Sequence, residues 1–310
     1  MTRREFAKVC GIAAGAWGLA PLVHGIPPRR SALAEALEAL RGHLEGSRSL
    51  DAAQIAQQGA VVASEAAQVA ADPAVLALSA RYEARKGPPF IGPETTGRLP
   101  PAPKEGLEIH YAAIAVQQAL LDHAYTPASL ARHGALFEGK HFLTSRYFPG
   151  ELSAATKTGA VEARVNASQP EDWGFPVMFF DAPARRPTGC WVPPGNMATV
   201  TVPPSLVGKG FVLRVGAHSW NLANKPRIKR LDRVSLEFPI TSTSTRVAHP
   251  LGGGLYLEVP YKSDAGIVTL RISNAIRSPF FSARSFERTS LGEWLATQRF
   301  QPGPWAGFGY

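Results

Sequence analysis

The chain has 310 residues, a formal net charge of +9 and 45% hydrophobic residues. That length supports a sizeable buried core and leaves room for two domains. Its one basic cluster, residues 225–233, contains neither the stacking aromatics nor the groove-filling helix of a nucleic-acid site, so we expect no nucleic-acid partner.

The first 25 residues are typical of a twin-arginine export signal. Its motif residues are Arg3, Arg4, Phe6 and Lys8. The apolar stretch that follows, residues 9–23, is shorter than the roughly 20 residues that a membrane-spanning helix needs. We expect the twin-arginine export machinery to recognise residues 1–25. The product is then periplasmic or secreted, with no stable membrane span after cleavage near Gly25.

Residues 26–137 are predicted to form a helical region. Four leucines recur at helical spacing, and several N-cap patterns follow. These residues are Leu33, Leu37, Leu40 and Leu44 in the stripe, Asp51 with Gln54 as a capping box, and the pairs Asp72-Pro73 and Thr126-Pro127. A proline-rich linker at 87–103 predicts a stiff, extended connection. This region shows no catalytic pattern.

From about residue 138 the hydrophobic period changes from helical to two. Apolar and polar residues alternate in runs at 161–165, 198–202, 211–215, 234–238, 255–259 and 268–272, with turn residues between them. Such runs predict antiparallel strands with one solvated face, in a β-sandwich or jelly-roll-like domain over 138–310. One late helix is predicted over 287–298. The fold class is therefore α+β.

Five short motifs of this half occur in the order of a known family. They are TGCWVPPG from Thr188, RVGAHS from Arg214, GGGLY from Gly252, NAI from Asn274 with Pro279-Phe280 after it, and EW from Glu293 with GPWA at 303–306. Together they resemble the N-terminal accessory region of the enhancin-like zinc metallopeptidases, metallopeptidase family sixty. The resemblance covers about 145–307. It implies an accessory domain of enzymes that cut mucin-type glycoproteins.

The zinc site of that family is missing from the 310 residues. It requires H-E-x-x-H, which places two histidine ligands one helical turn apart with a glutamate base between them. None of the eight histidines is followed by Glu, and no two lie four apart. We therefore expect no catalytic residue, metal ligand or cofactor here, with zinc confined to a downstream catalytic domain. A truncated reading frame and a relative that lost its catalytic half both remain open.

Two main hypotheses follow for function, and a structural helical-plus-β export protein with no ligand is a third. The first is a non-catalytic accessory portion of an exported zinc metallopeptidase that acts on glycoproteins, inactive alone and working with its catalytic domain. The alternative is a free-standing periplasmic or secreted glycan-binding β-sandwich. Its candidate contacts are His218, Trp220 and Asn221, which offer an aromatic face and amide groups to a sugar, or which serve an interdomain contact. A turn histidine bonded to backbone is the other interpretation of His218.

Overall fold

Helices come first in the chain. In the part that the structure describes there are five α-helices: α1 (Ala32–Glu45), α2 (Ala52–Ser64), α3 (Pro73–Lys86), α4 (Glu108–Ala119) and α5 (Pro127–Phe137). The structure is a computed structural model that describes residues 31–65, 72–89, 106–150, 157–170, 181–223, 230–278, 280–282, 292 and 307–309. The predicted export signal, residues 90–103 of the linker, and the late helix and its motif apart from Gly292 lie outside these ranges.

The helix signals in the sequence have the expected physical counterparts. All four leucines of the α1 stripe are buried. At the start of α2 the capping box is closed, because Gln54 N donates to Asp51 Oδ1 at 2.8 Å and Asp51 N donates to Gln54 Oε1 at 3.0 Å. Asp72 and Thr126 cap α3 and α5 through their side chains. These predictions are confirmed.

A buried carboxyl joins the helices to the turn that follows them. Glu83 on α3 accepts hydrogen bonds from Gln117 Nε2 and from Leu143 N, both at 2.9 Å. Burial outweighs these two bonds and raises the pKa of Glu83 to about 7. The turn held in this way, Leu143–Arg146, leads directly towards Phe148 beside the sheet.

Eight of the ten described strands form one antiparallel, sandwich-like sheet. The strands are β1 (Gly159–Gln169), β2 (Ala184–Val192), β3 (Met197–Thr201), β4 (Val212–Val215), β5 (Leu236–Pro239), β6 (Ser244–Ala248), β7 (Gly253–Val259), β8 (Ser263–Arg277), β9 (Phe280–Ser282) and β10 (Gly307–Gly309). The order is β5-β4-β7-β2-β8-β3-β6, with β1 also paired to β8, whereas β9 and β10 form a separate parallel pair. The predicted α+β fold with a sandwich-like β-region is confirmed.

The long strand β8 takes part in both halves of this sheet. Its residues up to Ala275 pair with β1 or β3, whereas Ile276 and Arg277 pair with β2. The change comes just after Asn274, whose φ of 57° is uncommon for a residue other than glycine. The Asn274 side chain supports this bend, since its Nδ2 donates to Met197 O at 2.9 Å.

Within the eight-stranded sheet, two strands, β2 and β6, are absent from the six predicted runs. In β2, the register with β7 shifts between Pro187 and Cys190, and the last five residues are all buried. A central strand with both faces covered does not alternate, so its period-two signal is lost. The structure also starts β5 at Leu236 rather than at Val234.

Helices and sheet belong to one compact unit that begins at Ala32. Helix α5 packs against β6. The end of α4 is hydrogen-bonded to the chain just before β5, where Gln118 Nε2 donates to Arg233 O at 3.2 Å. The helical region therefore presents a surface that is continuous with the sheet.

Candidate functional site

Three of the motifs that are distant in sequence meet at one place. Strands β2, β4 and β7 are neighbours, so the turns next to them converge. A β-carbon on Gly252 would lie 2.8 Å from Val192 O, and one on Gly253 would lie 2.8 Å from Gly216 N. Gly216, Gly252 and Gly253 all have positive φ. Only glycine fits this close packing of backbone, which we name the glycine junction (Gly216, Gly252 and Gly253).

The cavity at the glycine junction is too small for a sugar ring. Its lining includes Phe148, Trp191, His218 and Tyr256, and the space open to the centre of a water molecule is about 20 Å³. A single ordered water needs roughly 10–15 Å³ by the same measure. The motif residues therefore build a closed corner of the sheet.

His218 is a packed residue of this corner. Its ring centroid lies 5.2 Å from that of Phe148, and the Arg230 guanidinium lies 5.3 Å from the same phenyl ring. Burial, followed by the positive charges of Arg230 and Arg185, lowers the pKa of His218. The imidazole is therefore neutral near pH 7.

The other two predicted contact residues have surroundings that differ from those of His218. The Trp220 side chain is 73% exposed, in contrast to Trp191 at 5%. Asn221 caps its own turn, because its Oδ1 accepts a hydrogen bond from Ala223 N at 3.0 Å. Of the three candidates, Trp220 is thus the one that presents an aromatic face to solvent.

A second histidine locks the chain beneath the junction. His249 is fully buried, its Nε2–H donates to Val234 O at 2.7 Å, and its Nδ1 accepts from Leu251 N at 3.0 Å. Burial lowers the pKa of His249 to about 4, against the smaller opposing effect of its bond to Val234. This histidine is therefore neutral in the folded protein and fixes the turn before Gly252.

A larger opening lies between the helices and the sheet, and no local sequence pattern indicates it. About 300 Å³ of it is open to water centres. We name it the helix–sheet cleft. It is lined on the helix side by Leu121, Asp122, Tyr125, Thr126 and Pro127, and on the sheet side by Arg214, Ser219, Arg233, Val234, Ser235, Leu236 and Glu237.

The helix wall of the cleft is fixed by an ion pair. Asp122 lies in a π-helical turn, Leu120–Ala124, that continues α4. Arg233 Nε donates to Asp122 Oδ1 at 3.0 Å, and Arg233 Nη2 donates to Asp122 Oδ2 at 2.5 Å. Gln118 Oε1 also accepts from Asp232 N at 3.0 Å. Because partners so far apart in sequence carry these contacts, no local pattern could have predicted them.

The sheet wall is fixed by charged side chains that alternate between acidic and basic across four neighbouring strands. Arg214 donates through Nε to Glu258 Oε1 at 2.5 Å and through Nη1 to Ser235 Oγ at 2.6 Å, and it pairs with Glu237. Burial opposes the charge of Arg214, but Glu258 and Glu237 outweigh it and raise its pKa. Arg214 belongs to one of the sequence motifs, but its acidic partners Glu237 and Glu258 lie outside that motif.

Arg185 extends the same row and holds the loop that carries Trp220. Its Nη1 donates to Ala217 O at 2.6 Å, and its Nη2 donates to Ser219 Oγ at 3.0 Å. It also pairs with Glu258 at 3.2 Å. The residue before Trp220 is thereby anchored at the edge of the cleft.

Two further features are absent from the described part of the chain. The described residues contain no group of three or more His, Cys, Asp or Glu side chains placed to hold a metal ion. Nor do the described helices include one with the length and apolar character to cross a bilayer.

The comparisons with known proteins give a domain assignment. Residues 157–273 match the family model described as the N-terminal domain of M60-like peptidases. The chain is 31% identical over 119 residues to the TRPM8 channel-associated factor homolog of Danio rerio, and 30% identical over 123 residues to that of Xenopus laevis. These matches cover 38% and 40% of this chain, but only 13% of each relative.

Solved structures were compared as well. The IMPa metallopeptidase from Pseudomonas aeruginosa, in complex with an O-glycopeptide, has a TM-score of 0.47 at 12% identity and covers 83% of this chain and 27% of its own. The catalytic module of ZmpA from Clostridium perfringens has a TM-score of 0.30 at 16% identity, over 51% of this chain and 33% of its own.

The β-rich region is thus a domain built from antiparallel strands. More specifically, residues 157–273 are similar to the N-terminal domain of M60-like peptidases. The resemblance found in the sequence motifs is confirmed.

Proposed function

We propose that this chain is a non-catalytic accessory portion of an M60-like zinc peptidase that acts on glycoproteins, and that the twin-arginine machinery exports it. The observation that carries the proposal is the match of residues 157–273 to the N-terminal domain of M60-like peptidases. The 310 residues contain no H-E-x-x-H pattern, so peptide hydrolysis is assigned to a separate catalytic domain that carries zinc.

The contribution of this portion is binding and positioning. Arg233 ties the strands to Asp122 on the helix side, and Arg185 ties loop 217–219 to β2. These contacts give a catalytic domain a preorganised surface, which lowers the ordering cost of association. The glycoprotein then meets the peptidase and its accessory domain together.

The test of this role uses the purified protein and a separately produced M60-like catalytic domain. We expect no stoichiometric zinc by elemental analysis, no mucin cleavage by the protein alone, and saturable binding to the catalytic domain by calorimetry. One tightly bound zinc per chain, or mucin cleavage without the catalytic domain, would overturn the non-catalytic assignment. Failure to bind the catalytic domain would overturn the accessory assignment.

The export part of the proposal has its own test. A reporter fused to residues 1–30 is expected to reach the periplasm, and the double change Arg3→Lys with Arg4→Lys is expected to retain it in the cytoplasm, because the receptor reads the arginine pair. The matched control is Arg29→Lys with Arg30→Lys, which makes the same charge-conserving replacement of an arginine pair outside the motif. Equal export of the two variants would contradict a twin-arginine route.

A further inference from the structure

We infer that the helix–sheet cleft binds a carbohydrate, with Asp122, Arg233 and Glu237 contacting its hydroxyl groups and Trp220 contacting a ring face at the rim. The inference rests on the proposed function for the source of the sugar, a glycoprotein. It keeps the sugar-binding element of the alternative hypothesis, but it moves the site away from His218 and Asn221.

Size separates the two openings on this side of the molecule. The helix–sheet cleft has about 300 Å³ open to water centres, against about 20 Å³ at the glycine junction. Ligand sites of proteins usually measure roughly 300–1,000 Å³. The cleft is therefore the one of these two openings that admits a sugar ring.

The polar groups of the cleft suit hydroxyl groups, which both donate and accept. Carboxylates accept through as many as about four lone-pair positions, and guanidinium groups donate up to about five hydrogen bonds. Asp122 with Arg233, and Glu237 with Arg214, place such acceptors and donors side by side. Because the ion pairs already hold these groups, binding a hydroxyl costs little additional side-chain ordering.

The backbone at Asp122 is unusual in a way that points to function. The five-residue π-helical turn Leu120–Ala124 ends α4, and helix α5 starts at Pro127. Such turns occur often at functional sites, where the wider turn re-aims a side chain. Here, Asp122 in the turn and Thr126 and Pro127 after it all line the cleft.

Trp220 supplies the apolar surface that sugar rings need for their C–H faces. Single exposed apolar residues are ordinary on proteins, so the exposure of Trp220 gains weight from its position. It directly follows Ser219, which lines the cleft and is held by Arg185. An indole ring that is 73% exposed at this rim is available for stacking.

Two other ligand classes fit the cleft less well. An anionic ligand would meet the carboxylates of Asp122 and Glu237, which offset the charges of the two arginines. An extended peptide would have to pair with the edge strand β5, which has four residues and ends at Pro239. Proline offers no N–H to an added strand. A neutral, hydroxyl-rich ligand remains.

The test is calorimetric or NMR titration of the whole 310-residue protein with N-acetylgalactosamine, with a threonine peptide carrying that sugar, and with the same peptide unglycosylated. We expect the free sugar to bind with a Kd of about 1–10 mM and the glycopeptide at least as tightly. The bare peptide is expected not to bind.

Matched variants locate the site. Trp220→Ala and Glu237→Gln are each expected to weaken sugar binding about tenfold, the loss of one good contact. The controls are Ile267→Ala, another exposed apolar residue, and Glu162→Gln, which removes a charge of similar exposure (65% against 57%) on β1. Both controls are expected to bind within about twofold of the parent protein.

Three outcomes would overturn the inference: no sugar binding at about 10 mM, binding of the bare peptide with equal affinity, or unchanged sugar binding in both cleft variants. Catalytic-domain binding by the same variants separates this failure from that of the proposed function. If domain binding persists while sugar binding is absent, only the cleft assignment fails. If sugar binds in the cleft but the catalytic domain does not, only the accessory assignment fails.

Discussion

The glycine junction and the helix–sheet cleft are adjacent regions that share Val234 in their walls, but they differ in construction. The junction brings together motif residues at close backbone contact and leaves room for little more than one water. The cleft lies between elements far apart in sequence and is lined with ion pairs. Sequence motifs in this domain therefore mark residues that hold the fold together, whereas the opening large enough for a ligand lies beside them.

The largest effect on stability is expected from adding one methyl group to the glycine junction. Gly252→Ala places a β-carbon 2.8 Å from Val192 O in a backbone with φ of 69°. We expect a loss of about 3 kcal/mol in the free energy of unfolding, from strain and overpacking together. Urea unfolding measures it, with Gly159→Ala as the control because its β-carbon meets nothing within 4 Å. Equal stability of the two variants would contradict the junction as described.

The next largest effect depends on pH and on His249. The unfolded histidine binds a proton below its ordinary pKa of 6.5, whereas the buried one does so only near 4. The contribution of His249 to the free energy of unfolding is therefore fully present above pH 6.5. It is lost as the pH drops to 4, by about 3 kcal/mol in total. Urea unfolding at pH 8 and at pH 5 measures the loss. His249→Gln is expected to reduce it, and an unchanged loss in that variant would assign it to other groups.

Glu83, in the helical region, is the second group that makes stability depend on pH. Its effect has the opposite sign to that of His249. Its raised pKa means that the folded protein holds a proton between about pH 4.5 and 7, where the unfolded chain has lost it. Stability from this group therefore falls as the pH rises through that window. Glu83→Gln is expected to stabilise the protein at pH 8 by about 2 kcal/mol and to have little effect at pH 4. A destabilised variant at pH 8 would show that ionised Glu83 is favourable.

The cleft should respond more weakly than the junction. Asp122→Asn removes a partly exposed charge opposite Arg233 while keeping a hydrogen-bonding oxygen. We expect a loss of about 1 kcal/mol in unfolding free energy, against less than about 0.5 kcal/mol for Glu162→Gln in the exposed pair with Arg271. Chemical unfolding of both variants gives the comparison. A loss of unfolding free energy as large as that expected for Gly252→Ala would mean that the cleft residues also hold the fold together.

The smallest expected effect on stability is at Trp220, at the rim of the helix–sheet cleft. Trp220→Ala removes a side chain that is mostly in solvent, so we expect a change within about 0.5 kcal/mol in unfolding free energy. Thermal unfolding checks this result. The same variant should bind sugar about tenfold more weakly, so stability and ligand binding separate at this residue. A large stability loss would place Trp220 in the packing of the loop.

The sequence predicted the elements that carry a local pattern. The leucine stripe of α1 and the capping box at Asp51 need only neighbouring residues, and both occur as predicted. Strand β2 was missed because Pro187 and a fully buried end hide its period. The cleft was missed because Asp122 and Arg233 meet only after folding, and because a π-helical turn has no composition signature.

The bend at Asn274 has a consequence for how the β-region can come apart. Since the covalent chain of β8 crosses there from one half of the sheet to the other, neither half is attached to its neighbour by side-chain contacts alone. Tension applied to one half is transmitted along a peptide backbone into the other. Separating the two halves therefore requires breaking the backbone hydrogen bonds of β8 to β2, or those of β8 to β1 and β3.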